Sequence, residues 1–339
     1  VQIRTHGPWR DVLSQLFRAE VPGPLPDRLE PRIRETAKRL WGISIILTVA
    51  QAVLLRVFGM SFFDAVTHAL ATVATGGFST ANKSLEAWNS PAIDMIVTAF
   101  MFLAGINFTL HYRALRGNFE PLRKDDELKT YAGIVLAAIA LISLDLLVHS
   151  KYSLGNTLRH SSFQVVSLIT TTGFTTVDYD MWPPLSRAIL LILMFIGGCG
   201  GSTGGAIKVV RVNVLAKHSI RELKRAVYPR RVTVVRLNGK AVPEEVCSAV
   251  LAFVILYISV FLLSTLAMSA MGLDLMSAVG SVAATLGNIG PGFGLVGPTC
   301  NYSALPALGK WLLSFCMLVG RLEVYTVLSL FVPGFWRKP

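Results

Sequence analysis

The chain has 339 residues, of which 53% are hydrophobic and only 15% charged, well below the roughly 25% charge usual for a soluble domain. Its mean hydropathy is +0.55, so an ordinary soluble domain is excluded and a membrane class comes first. The net charge of +12 would suit a nucleic-acid binder, but the positive residues gather in alternate connections between apolar runs, a pattern that reports membrane orientation.

In chain order, Arg4, Arg10, Arg18, Arg28, Arg32 and Arg34 precede a first apolar run at 37–58, and further runs follow at 91–113, 130–149, 185–209, 246–270 and 306–332. Each offers on the order of 20 residues, enough to cross a hydrocarbon core about 30 Å thick as a helix. They are too long for barrel strands, so an all-α membrane protein is predicted, with the lipid bilayer as its surroundings. Arg113, Arg116, Arg123, Lys124 and Lys129 lie after the second run. Lys208, Arg211, Lys217, Arg221, Lys224, Arg225, Arg230, Arg231, Arg236 and Lys240 lie after the fourth, and Arg337 and Lys338 close the chain. The positive-inside rule makes all of these cytoplasmic, giving six spans with both ends inside. No signal peptide is visible, and the start at Val1 suggests a fragment.

An internal repeat organises these runs. Phe63-Asp64-Ala65 to Ala74-Thr75-Gly76-Gly77-Phe78-Ser79-Thr80 recurs as Asn156 to Thr170-Thr171-Thr172-Gly173-Phe174-Thr175-Thr176. A looser third copy runs from Asp274 to Ala284-Thr285-Leu286-Gly287-Asn288-Ile289-Gly290, so that Gly77, Gly173 and Gly287 align. Each motif follows an amphipathic stretch too short to span, and Gly-rich backbone at membrane depth survives only inside protein or beside water. Three copies point to a shared aqueous axis lined by Thr and carbonyl oxygens, the ligands that replace an alkali cation's hydration shell. Asp64 and Asp274 are expected to cap the short helices.

Gly197, Gly198, Gly200, Gly201, Gly204 and Gly205 interrupt the fourth run, where each glycine costs about 1 kcal/mol of helix. The helix should break there, for close packing or as a movable loop. Val232 to Val242 alternates around Asn238-Gly239, a hairpin signal, unless it is a basic loop held to anionic lipid. Arg321, near the middle of the last run, must face water, carbonyls or an acid; Glu323 is two residues away and points elsewhere. Asn107, His111, Asp145 and His149 are expected to make interhelical or interfacial hydrogen bonds. Cys199, Cys247, Cys300 and Cys316 have no metal-ligand spacing, and no acid, His or Cys cluster supports an enzyme.

These motifs, with Phe17-Arg18-Ala19-Glu20-Val21-Pro22-Gly23-Pro24 ahead of the first run, resemble the TrkH/KtrB/HKT superfamily of potassium transporters, the bacterial TrkH branch above all. The resemblance implies four helix–pore helix–helix repeats around a pseudo-fourfold pore, of which the first, on the order of 100 residues, is absent here. The expected division is a segment 1–34, a repeat at 35–116, a repeat at 117–212, a basic loop at 213–243 and a repeat at 244–339. It also implies potassium selectivity filters at Ala74–Phe78, Thr170–Phe174 and Ala284–Asn288, a gate formed by the Gly197–Gly205 loop, and Arg321 facing the pore to repel cations and hold that loop closed. A homodimer, a cytosolic TrkA-like RCK nucleotide-binding partner and a plasma-membrane location follow from the same likeness. No cofactor is expected beyond K+ as cargo. An ion-coupled or Na+/K+ transporter and a non-conducting remnant stay open as alternatives.

Overall fold

The computed structural model describes residues 33–150, 152–229, 233–322, 324–331 and 336. The segment 1–34 up to residue 32, with Phe17–Pro24, lies outside the described residues, as do Arg230, Arg231, Glu323, Arg337 and Lys338. The described residues form three consecutive units with the same order of elements. The first holds α1 (Ile33–Val57), short helix α2 (Phe62–Val73), α3 (Pro91–Ala104) and α4 (Phe108–Leu115). A short α5 (Glu120–Lys124) leads to the second, with α6 (Asp126–His149), short helix α7 (Leu154–Ile169), α8 (Pro184–Leu193) and α9 (Val209–Val227). The hairpin β1 (Arg236–Leu237) and β2 (Lys240–Ala241) precedes the third, with α10 (Glu244–Ala270), short helix α11 (Leu275–Leu286), α12 (Ala307–Arg321) and α13 (Val324–Ser329).

Three helices, α1, α6 and α10, are unbroken and long and apolar enough to cross a membrane. They expose Leu136, Leu144, Leu263 and Leu266, among others, surface that lipid rather than water covers. The other three expected spans are interrupted: the break in 185–209 is the one expected at its glycines, whereas those in 91–113 and 306–332 correct the reading of these two runs as single helices. The run 91–113 bends by 101° between α3 and α4. There Asn107 accepts from the Thr109 amide at 2.8 Å to start α4, and His111 Nε2 reaches the Leu103 carbonyl at 2.9 Å. The run 185–209 stops at Leu193 and resumes at Val209, and the last run stops at Arg321.

The short helices begin on side-chain caps. Ser61 accepts from the Asp64 amide at 3.1 Å, Ser153 from the Asn156 amide at 3.4 Å and Asp274 from the Ser277 amide at 3.1 Å. Asp64 itself is therefore not the cap. Its carboxylate accepts from Ser61 Oγ at 2.7 Å, steadying the cap, and from Thr80 Oγ1 at 2.6 Å, which ties the helix to the chain beyond its Thr/Gly motif.

The units pack side by side, and α7 in the middle is deeply enclosed, with Phe163, Val165, Leu168 and Ile169 fully buried. Arg159 on α7 donates to Asp94 on α3 at 2.7 Å, with Asp94 buried. Asp145 on α6 accepts from both the amide and the hydroxyl of Ser186, at 3.0 and 2.6 Å, fixing the start of α8. It also pairs with His149 at 3.0 Å. Breaking a buried pair strands one charge at a cost of about 3–5 kcal/mol, whereas replacing both partners by apolar residues is often neutral. Arg159→Met should therefore lower the thermal unfolding midpoint in detergent sharply, and Arg159→Met with Asp94→Leu should recover most of the loss.

Candidate functional site

Each short helix ends in the same backbone figure. In the first unit the Thr75 amide bonds to the Thr72 carbonyl and that of Gly76 to Ala71; in the second, Thr171 bonds to Leu168 and Thr172 to Ser167. In the third, Asn288 bonds to Thr285 and Ile289 to Ala284. Left-handed residues follow in step: Thr75 and Gly77, Thr171 and Gly173, Asn288 and Gly290. The third motif is thus Gly287-Asn288-Ile289-Gly290-Pro291, and the counterpart of Gly77 and Gly173 is Gly290. This corrects the predicted register by three residues. Ala284, Thr285 and Leu286 form the last turn of α11, and Gly287 caps it with helical φ of −74°. Thr75, Thr171 and Asn288 are non-glycine residues in left-handed geometry, an arrangement that costs energy and concentrates at functional sites.

The units meet here backbone to backbone. A Cβ on Gly77 would collide with the Thr172 carbonyl oxygen, and one on Gly173 with the Ile289 carbonyl oxygen. Thr172 and Ile289 hold the same place in their motifs, so one contact is used twice. Around it the support is polar and buried: Ser167 Oγ donates to the Phe174 carbonyl at 2.6 Å, and Gln164 donates to Thr176 Oγ1 at 3.3 Å. His68, at the place of Gln164 one unit earlier, sits between the Asp64 carbonyl at 2.7 Å and Ser79 Oγ at 3.0 Å. Phe174 is buried against the His68 ring, 5.7 Å between centroids, whereas its counterpart Phe78 is 77% exposed.

Residues 194–208 form a non-helical loop between α8 and α9. The loop lies against the C-terminal ends of all three short helices. Thr203 Oγ1 donates to the Val73 carbonyl at 3.0 Å, and the Gly205 amide donates to Thr171 Oγ1 at 2.7 Å. Methyl groups at Gly204 and Gly205 would come within 2.9 Å of the Thr170 oxygen and 2.5 Å of the Gly287 oxygen. Gly197 bonds to the Ile207 carbonyl at 2.8 Å across a parallel bridge at Ile196 and Ile207. Cys199 and Gly201 join the loop to the α3–α4 bend through Gly105 at 2.8 Å and Phe108 at 3.3 Å, and Gly198 and Gly201 pack on Gly105 and Asn107.

Two cations reach into this loop. Arg321, the last residue of α12 rather than mid-helix, donates to the Thr203 carbonyl at 2.8 Å. Lys208, which charge patterning assigned to an exposed connection, is buried. Its ammonium contacts the Ser202 hydroxyl at 3.2 Å and the Gly204 carbonyl. Glu127 is also buried and accepts from the Gly200 and Val210 amides at 2.5 and 2.9 Å. Lys208 falls inside the predicted run 185–209, and Glu127 closes the acidic triplet Asp125-Asp126-Glu127 in a basic connection; those positions were the signals available in the sequence.

A family model described as TrkH, cation transport protein, matches residues 14–338. The chain belongs to the TrkH family. It is 45% identical over 327 residues to the Trk system potassium uptake protein TrkH of Escherichia coli (strain K12), covering 96% of this chain and 67% of that one. The Trk system potassium uptake protein TrkG of the same strain is 36% identical over 327 residues, with the same coverage of each chain. The crystal structure of the potassium transporter TrkH from Vibrio parahaemolyticus superposes with a TM-score of 0.85 at 41% identity, covering 91% of this chain and 66% of that one. The chain spans about two thirds of the length of these relatives. Membership in the TrkH family makes it a multi-pass membrane transporter and not an enzyme.

The backbone contacts between units set a steric test. Gly77→Ala and Gly173→Ala should each cost about 1–3 kcal/mol or more through forced separation of two units. Gly42→Ala, whose Cβ would meet nothing within 4 Å in helix α1, should stabilise by up to about 1 kcal/mol. Thermal unfolding in detergent, followed by tryptophan fluorescence, checks all three.

Proposed function

We propose that this chain forms the pore of a potassium-uptake system. The observation that carries the reading is the convergence of three short helices, each ending in the same left-handed Thr/Gly or Asn/Gly figure, on one glycine-rich loop. Helix C-termini carry partial negative charge, which favours a dehydrating cation between them, and carbonyl and hydroxyl oxygens supply its replacement ligands. Ala74–Phe78, Thr170–Phe174 and, in the corrected register, Gly287–Pro291 are the proposed filter segments. The potassium assignment is supported by the names of the relatives in the TrkH family.

The loop containing Gly197, Gly198, Gly200, Gly201, Gly204 and Gly205 is the proposed gate, since it lies where ions leaving the filter would pass. Arg321 repels cations there and holds the loop through Thr203. The basic connections orient the protein in the plasma membrane with both ends in the cytoplasm. A cytosolic TrkA-like RCK subunit and a second copy of the chain are the proposed partners, and any nucleotide acts through that subunit.

The test is ⁸⁶Rb⁺ uptake by a potassium-transport-deficient cell expressing this chain alone and with a further repeat joined ahead of Val1. Uptake by the joined form that disappears with Gly173→Ser is expected, and no uptake by either form despite membrane insertion would overturn the reading. Arg321→Ala in the conducting form should raise the ungated flux about ten- to a hundredfold, the equivalent of one lost hydrogen bond to a charged group.

A further inference from the structure

We propose that Glu127 is the positioning residue of the glycine loop and that it couples the loop to the β1–β2 hairpin; the gating consequence rests on the function proposed above. An acid in the first turn of a helix ordinarily serves its own helix. Glu127, the second residue of α6, instead turns one oxygen to two other elements: Oε1 accepts from the Gly200 amide at 2.5 Å and from the Val210 amide at 2.9 Å. Val210 is the second residue of α9, whose first amides need an outside acceptor. The residue at the cap position, Lys208, makes no side-chain cap, because an ammonium has no acceptor to offer. Glu127 therefore caps α9 from another helix, and the same oxygen pins the loop at Gly200. Residues 200 and 210 are closed onto a single atom, so the loop cannot leave the short-helix ends without breaking a bond to a buried carboxylate.

The two acids before Glu127 face the hairpin. Asp125 caps α6 through the Leu128 amide at 2.8 Å and accepts from Asn238 Nδ2 at 2.9 Å. Asp126 accepts from the Asn238 amide at 3.1 Å and from Lys217 Nζ at 2.9 Å, and its own amide donates to Asn238 Oδ1 at 2.7 Å. Lys217 also holds the Arg236 carbonyl at 2.9 Å. Three consecutive residues thus join the hairpin tip to the loop within one helical turn. A force on the hairpin shifts the start of α6, and with it the one oxygen that holds Gly200 and Val210.

The experiment is hydrogen–deuterium exchange by mass spectrometry on the full chain in lipid nanodiscs, with ⁸⁶Rb⁺ flux measured in parallel in the conducting form. Glu127→Gln keeps the cap of α6 on Asp125 and removes the charge. Exchange across residues 197–212 should rise roughly tenfold, and Glu127→Asp should fall between it and the parent. Asn238→Ala, at an exposed turn, should raise exchange at residues 197–206, away from Val210 on which the hairpin residues Val235 and Leu237 pack, with no further rise in the double variant. Unchanged exchange in Glu127→Gln, or an Asn238→Ala effect confined to the hairpin, overturns the coupling. Should Glu127→Gln fail to insert, the Asn238→Ala result at 197–206 decides alone. Faster exchange with higher flux supports both coupling and gate, whereas faster exchange with unaltered flux leaves the coupling standing and overturns the gate.

Discussion

Two main-chain surfaces touch where Gly77 meets the Thr172 carbonyl and Gly173 meets the Ile289 carbonyl, and the axis of the molecule depends on that closeness. Any side chain there would drive the units apart. The buried polar side chains behind the first two motifs, His68, Gln164 and Ser167, hold those turns so that the contact is met at the right depth. The left-handed threonines and asparagine are tolerated because the helix ends and these struts over-determine them. A loose version of the same turn would place its oxygens anywhere; this one has little freedom left.

The glycine loop exploits the same closeness from another direction. It touches three helix ends, one of them through its own Thr203 hydroxyl, and its position is also set by groups that come from elsewhere: Glu127 from α6, Arg321 from α12, Thr171 from the second motif. Lys208 supplies a cation from the loop's own end. The loop is tied internally by the bridge at Ile196 and Ile207, by the Ser202 amide on the Cys199 carbonyl at 3.1 Å and by Lys208 on Ser202 and Gly204, while external bonds set its resting position. Such a segment moves as a unit when one of those bonds is lost.

Much of this is legible in the sequence because it is periodic. The long apolar runs, the threefold recurrence, the break at Gly197–Gly205 and the Asn238-Gly239 turn are local patterns, and local patterns survive without a partner in view. The third motif was misplaced by three residues because Leu286-Gly287-Asn288-Ile289-Gly290 offers two glycines, and only the bonds from Asn288 to Thr285 and from Ile289 to Ala284 say where the helix ends. Lys208 is grouped by charge with the basic connection and Glu127 carries no signal of its own in the sequence beyond its acidic neighbours, since their partners lie in a folded loop and, for Glu127, are main-chain amides about seventy residues distant. The bend at Gly105–Asn107 was hidden by an uninterrupted apolar run; its cause is the neighbouring loop that fills the angle.

The contact between units is also directional. A glycine on one side meets a carbonyl on the other, so the two surfaces are unlike, as in a head-to-tail assembly. The direction in which units follow one another around the axis is therefore fixed by the joint, which itself asks of each unit only one glycine and one free oxygen. Thr-Gly-Gly, Thr-Thr-Gly and Asn-Ile-Gly have drifted far from one another within a single chain. Divergence of that extent is what such a joint permits: it reads geometry, not side chains, and leaves all remaining positions of each motif free to specialise.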